Sequence, residues 1–84
     1  IDRVTTFEYI MVSKNQDKKI EYEDGWFESY TLFTYDNNRK LKEEATYNKF
    51  GALREKIFYE YDIYGNIGKE IHTFNDRTFD YIYY

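Results

Sequence analysis

Tyr59-Glu60-Tyr61-Asp62-Ile63-Tyr64-Gly65-Asn66-Ile67-Gly68-Lys69-Glu70-Ile71 is the stretch whose reading decides the fold. It holds a strand-like run, a turn signal and a second strand-like run. Asp62 opens the turn, because an Asp or Asn side chain hydrogen-bonds its own backbone two residues on. Gly65 supplies the positive φ of a type I turn closed by a left-handed residue and bulge. The same unit, Tyr-(Asp/Asn)-x-x-(Gly/Arg)-x-(Leu/Ile), also starts at Tyr35 and Tyr47, so successive copies lie 12 and then 14 residues apart. A turn signal and a short strand recurring at that spacing specify antiparallel hairpins. They name no reaction.

Asn48-Lys49-Phe50-Gly51 fits the unit, and Asp36-Asn37-Asn38-Arg39 departs from it, with Arg39 where glycine is expected. Either Arg39 takes the left-handed conformation or Asn38 does. A three-residue loop sets Tyr35 opposite Leu41, Tyr47 opposite Leu53 and Tyr61 opposite Ile67, each a cross-strand contact beside its turn. Uninterrupted alternation then puts Phe33, Ala45, Ile57, Tyr59 and Ile71 on the same apolar face. Lys42, Glu44, Arg54, Lys56, Glu60 and Glu70 fall on the other, with Glu44 opposite Lys56 and Lys56 opposite His72. Two groups break that division. Glu43, Glu55 and Lys69 land on the apolar face, and Trp26, Tyr30, Leu32, Phe58 and Phe74 land on the polar one.

The remaining runs are bounded by turn residues in the same way. Val4 to Val12 is rich in β-branched and aromatic residues and is broken by Asn15-Gln16-Asp17. Lys19 to Glu23 ends at Asp24-Gly25, the dipeptide that a two-residue type I′ hairpin prefers. Trp26 to Tyr35, Lys40 to Tyr47, Ala52 to Tyr61, Asn66 to Phe74 and Thr78 to Tyr84 complete seven strands. Arg39 to Lys49 contains good helix formers, but the equivalent segments of the other copies are strand-like, so it too reads as strand. The expected fold is an all-β antiparallel meander. It is either one curved sheet or a sheet folded over its N-terminal hairpin, where Phe7, Tyr9, Met11, Ile20 and Tyr22 could cover one face.

Composition agrees. With 84 residues and no internal linker, residues 1–84 form a single domain with units at about 35–46, 47–60 and 61–74. The core is thin, since a domain of this size buries only about 60–65% of its unfolded surface. Aromatic residues make up 23% of the chain, too many for a disordered tail, and there is no Pro. The absence of Cys excludes disulfides and thiolate metal sites. A net charge of −4 with both signs interspersed argues against a nucleic-acid surface. The first ten residues read as neither a signal peptide nor a membrane span.

On these residues the units resemble YD repeats, the Tyr-Asp units of RHS-type bacterial surface proteins, over roughly residues 33–74. Residues 59–71 match the family's Tyr-Asp-x-x-Gly core almost throughout, while Asn48 and Arg39 depart from it. Three units are too few for the large shell of RHS proteins. The chain is closer to the small, Tyr-rich β-meander proteins of Bacteroidetes. That resemblance implies an extracytoplasmic location and carries over no catalytic residue. It also allows the chain to be a fragment of a longer array of such repeats.

Catalytic and metal chemistry find little footing. His72 is the only histidine, which makes a zinc site or a Ser-His-Asp triad through Ser13 or Ser29 improbable. It reads as a surface histidine. Glu43 and Glu55, on neighbouring strands, are the one pair that a glycosidase-like mechanism could use. Asp36 with Asn37 and Asn38, and Asp76 and Asp80 with Asn75, lack the alternating ligands of a calcium loop. The expectation is a non-enzymatic module without cofactor, metal or catalytic residues. Its functional surface would be the aromatic surplus, of which Trp26, Tyr30, Tyr64, Tyr81, Tyr83 and Tyr84 are the candidate partner-binding residues. Such residues anchor protein interfaces or stack on sugars. Residues 79–84, with one charge and no Pro, form an edge strand suited to self-association.

Overall fold

A computed structural model describes residues 2–74 and 77–83. Seven strands run β1 (Thr5–Ser13), β2 (Gln16–Glu23), β3 (Trp26–Tyr35), β4 (Leu41–Asn48), β5 (Leu53–Tyr61), β6 (Ile67–Phe74) and β7 (Arg77–Ile82). They form one antiparallel sheet in the order β1-β2-β3-β4-β5-β6-β7. Each strand contacts only its neighbours in sequence. The β1–β2 hairpin therefore extends the sheet and does not fold over it. Its break is also shorter than expected, because β2 already begins at Gln16, and pairing with β3 along all of β2 holds the hairpin in plane.

The turn chemistry follows from the repeat. Asp36 Oδ1 accepts the Asn38 and Lys40 amides at 2.8 and 3.0 Å, and Asp62 Oδ1 accepts those of Tyr64 and Asn66 at 2.9 and 3.0 Å. Asn48 does the same for Phe50 and Ala52. The fourth residue of each turn is left-handed, at φ 62° for Arg39, 82° for Gly51 and 84° for Gly65. Arg39 itself takes the strained position, and its side chain gains compensating contacts. Its guanidinium lies 4.4 Å from the centre of the Tyr35 ring and donates to the Lys14 carbonyl at 2.8 Å. Asp24 and Gly25 both have positive φ, 52° and 86°, as a type I′ turn requires.

The pairs flanking the turns are Tyr35–Leu41, Tyr47–Leu53 and Tyr61–Ile67, as expected. The ladder beyond them is not. One residue bulges immediately after each pair: Lys42, Arg54 and Gly68 have no partner on the preceding strand. An extra residue on one strand transfers every later side chain to the opposite face. Glu44 consequently faces Ile57 and not Lys56, and His72 also faces Ile57. Phe33, Ile57 and Tyr59 lie on one face, whereas Ala45 and Ile71 lie on the other. The expected division into an apolar and a polar face does not hold.

A single row shows the result, running Met11–Asp17–Phe33–Glu44–Ile57–His72–Phe79 across all the strands. The next row on the opposite face runs Ile10–Lys18–Leu32–Ala45–Lys56–Thr73–Thr78. The Ile10 and Ala45 side is called the first face below, and the Met11 and His72 side the second. Both are mixtures because neither is covered. Among the described residues only Ala45 and Ser29 are buried, at 3% and 6% exposure. Long cationic side chains take the place of a second layer. Lys18 lies over the Tyr30 ring at 4.6 Å and Lys56 over Phe58 at 4.9 Å, shielding aromatic surface with their stems. The molecule is a slab 23 Å through its thinnest direction and 47 Å long.

Candidate partner-binding surface

The residues singled out in the sequence do not converge. Trp26 stands 80% exposed where β3 leaves the Asp24–Gly25 turn, and Tyr64 stands 82% exposed in the β5–β6 turn. In a meander those two turns lie at opposite ends of the sheet. Tyr30 sits inside a ladder on the first face, stacked on Tyr47 at 5.0 Å and on Phe27 at 6.3 Å, with Lys18 above it. It is half-buried and unavailable as an anchor. Tyr81 and Tyr83 do come together on β7 and beyond it. Tyr84 lies outside the described residues, as do Asn75 and Asp76. A flat sugar platform built from Trp26 and the named tyrosines is therefore not formed.

Tyr81 and Tyr83 belong to a hydrogen-bonded cluster on the second face. Glu70 is its hub, because β6 places Glu70 and His72 two residues apart on one face. The His72 Nε2 is 2.8 Å from Glu70 Oε1, and the Tyr83 hydroxyl donates to Glu70 Oε2 at 2.7 Å. On the other side of the ring, His72 Nδ1 is 3.8 Å from Glu55. Tyr81 meets the imidazole edge-on at 4.7 Å. The Tyr83 hydroxyl, followed by the His72 contact, holds the Glu70 carboxyl below its ordinary range, against a smaller opposing effect of burial. Burial, then the hydroxyl's bond to Glu44 at 2.9 Å, pushes the Tyr59 phenol well above its usual range. His72 is accordingly not the open surface histidine the sequence suggested. The unbroken β6–β7 ladder gathers Glu70, Tyr81 and Tyr83 around it, and the bulges bring Glu55 to its other side.

Glu43 and Glu55 are separated by the same cause. Glu43 faces Phe58 and pairs with Lys56 at 3.2 Å, while Glu55 faces Thr46 on the other side of the sheet. No glycosidase-like pair is assembled from them. Beside Glu55 the second face dips into a groove of about 500 Å³ with Ser29, Thr31 and Thr46 as its floor. Its walls carry two cations, Lys19 and Arg54, and two anions, Glu21 and Glu55. Among the described residues no His, Cys, Asp and Glu side chains cluster so as to hold a metal ion. Nor, among those residues, is any helix long and apolar enough to cross a membrane.

The surface with the least satisfied chemistry is β1, which one of the two expected arrangements would have laid over the sheet. All nine residues of β1 are exposed. Tyr9 and Met11 are 72% and 77% exposed, and Val4, Phe7, Ile10 and Val12 are exposed with them. The orientation of the β1 backbone can be worked out. The Asp24 amide donates to the Val4 carbonyl at 2.8 Å, which makes Val4–Asp24 a hydrogen-bonded pair. Antiparallel pairs alternate, so Thr6, Glu8 and Ile10 bond to β2 while Phe7, Tyr9 and Met11 point their N–H and C=O outward. Edges of this kind are normally blunted by Lys, Pro or a bulge. Between Thr5 and Met11 none of these occurs, and Glu8 is the only charged residue.

No protein-family model matches the chain, and neither a curated protein nor a solved structure is significantly similar to it.

Proposed function

We infer that the chain is a non-enzymatic binding or structural module that contacts a protein partner by adding a strand at its open sheet edge. The observation that carries this reading is β1, a long exposed strand with five large apolar residues from Phe7 to Val12 and unpaired backbone groups facing solvent. Strand addition suits it, since main-chain bonds give affinity and alternate side chains give selectivity. The C-terminal edge remains a second place for self-association. It is shorter, carries Arg77 and Asp80, and has Tyr81 and Tyr83 engaged with His72 and Glu70, so β1 is the stronger candidate. An extracytoplasmic setting rests on the YD-like units alone.

The reading is tested by placing a photoreactive amino acid at Tyr9, Trp26 or Tyr64 in turn, in cells that make the protein. A discrete adduct from position 9, and little from positions 26 and 64, is the expected outcome. No adduct at position 9, or stronger adducts from the exposed turns, contradicts it.

A further inference from the structure

We propose that the strand received by β1 is the β1 of a second copy of this chain, paired antiparallel about a two-fold axis at Tyr9. The inference rests on the edge-binding reading above and adds the identity of the partner and the register.

The register is fixed by elimination. Outward-facing backbone groups belong to Phe7, Tyr9 and Met11, and hydrogen-bonded pairs form only between such residues. A two-fold axis can therefore pass through a residue pair but not between residues. Placed at Glu8, it sets two carboxylates directly opposite each other, which is destabilising. Placed at Ile10, it sets Glu8 against Val12, where the ladder is already interrupted by the bulge between Met11 and Ser13. Placed at Phe7, it runs β1 past its own start, beyond Thr5. Only Tyr9 keeps the residues from Phe7 to Met11 in regular pairing. Tyr9 then faces Tyr9 of the second copy, Phe7 faces Met11, and Glu8 faces Ile10. No like charges oppose, and a thioether meets an aromatic ring. The two second faces become continuous across the axis.

The alternatives close less well. β1 and β7 run in the same direction, so joining β1 of one copy to β7 of the next by translation gives a parallel, open-ended contact. It would also pair nine residues with six. An isologous contact closes at two copies. One strand pair buries less than a standard interface of roughly 1,200–2,000 Å², so the association is weak.

Sedimentation velocity on the whole chain over about 10 μM to 1 mM, the weak end of specific association, is expected to show a reversible monomer–dimer shift. Tyr9→Lys, which sets like charges at the axis while leaving the bonds to β2 intact, abolishes that shift. Because the chain has no cysteine, single substitutions read the register. Tyr9→Cys forms a disulfide dimer under mild oxidation, since opposed Cα atoms lie about 5.5 Å apart. Ile10→Cys does not, since its two copies lie about 8 Å apart in this register. Phe7→Cys cross-links only when mixed with Met11→Cys. A monomer throughout the range, or equal cross-linking at positions 9 and 10, overturns the proposal. If photoadducts at position 9 contain a different protein while sedimentation shows a monomer, self-pairing fails and the edge-binding reading stands. If position 9 gives no adduct, that reading fails as well.

Discussion

Gly51 and Gly65 occupy the same place in two copies of the turn unit, with φ of 82° and 84°, yet alanine should not cost the same at both. At Gly51 an added Cβ meets nothing within 4 Å, so the cost is backbone strain alone. A left-handed non-glycine residue costs about 1–2 kcal/mol. The stiffer unfolded chain returns about 0.4–1 kcal/mol. Gly51→Ala should therefore destabilise by about 1 kcal/mol, or about 4–8 °C in a domain of this size. At Gly65 the same Cβ falls 2.5 Å from Lys40 Nζ, the far end of a flexible side chain. Lys40 can move aside, but it then gives up its bond to the Gly65 carbonyl, 3.2 Å, and its position 5.0 Å from the Tyr61 ring centre. Those are worth about 0.5–1.5 and 0.5–1 kcal/mol in part-exposed settings. Gly65→Ala should cost about 2–3.5 kcal/mol in all. Arg39→Gly completes the series. It relieves strain of about 1–2 kcal/mol but loses the Tyr35 and Lys14 contacts and adds unfolded-state freedom, so it should fall within about 1 kcal/mol of neutral. Urea unfolding of the three variants measures all of this. Equal costs at Gly51 and Gly65, or a large gain for Arg39→Gly, would refute the reasoning.

Other outcomes follow from the second face and the bulges. Glu70 has a lowered carboxyl pKa, so its contribution is present above the ordinary carboxylate range and is lost as pH falls through the folded value. Tyr83→Phe removes the leading cause, so that variant should be less stable at neutral pH and the acid limb of its stability–pH curve should be shallower. Tyr59 has the opposite sign. Its raised phenol pKa stabilises below about pH 10 and the contribution is lost as pH rises further, so Tyr59→Phe should flatten the alkaline limb. If the two curves run parallel above pH 10, the Tyr59 phenol is not held above its usual range. Gly68 does not need positive φ, and a Cβ there makes only ordinary contacts at 3.8 Å or more. Gly68→Ala should be neutral or stabilising by up to about 1 kcal/mol, unlike Gly51→Ala.

The strands and turns were legible because each rests on local chemistry. Asp36, Asn48 and Asp62 cap their own turns, Gly51 and Gly65 are left-handed, and Tyr35, Tyr47 and Tyr61 meet their partners beside the turn. The faces were not legible, because Lys42 and Arg54 look like ordinary exposed strand residues while acting as bulges. Gly68, at the equivalent place in the third unit, was the available signal, since a glycine within a strand marks a bulge. Burial of one face would have fixed the division, and among the described residues neither face is covered. Within the site, the Glu70–His72–Phe74 alternation was enough to group those three on one side, whereas the approach of Glu55 depended on the bulges. The place of β1 was left open for a different reason. Its apolar residues suggested a covering layer, but whether a hairpin folds over a sheet or extends it is decided by pairing along β2. That pairing, down to the Tyr35 amide on the Asn15 carbonyl at 2.8 Å, keeps the hairpin in plane.

Residue-resolved amide exchange at low and high protein concentration tests the central claim, that β1 is a free edge built to accept a strand. Thr6, Glu8 and Ile10 should be protected at both concentrations, because their amides bond to β2. Phe7, Tyr9 and Met11 should exchange freely in dilute solution and become protected as concentration rises. Uniform protection along β1 in dilute solution, or outward amides that stay unprotected at every concentration and with every partner, would contradict it.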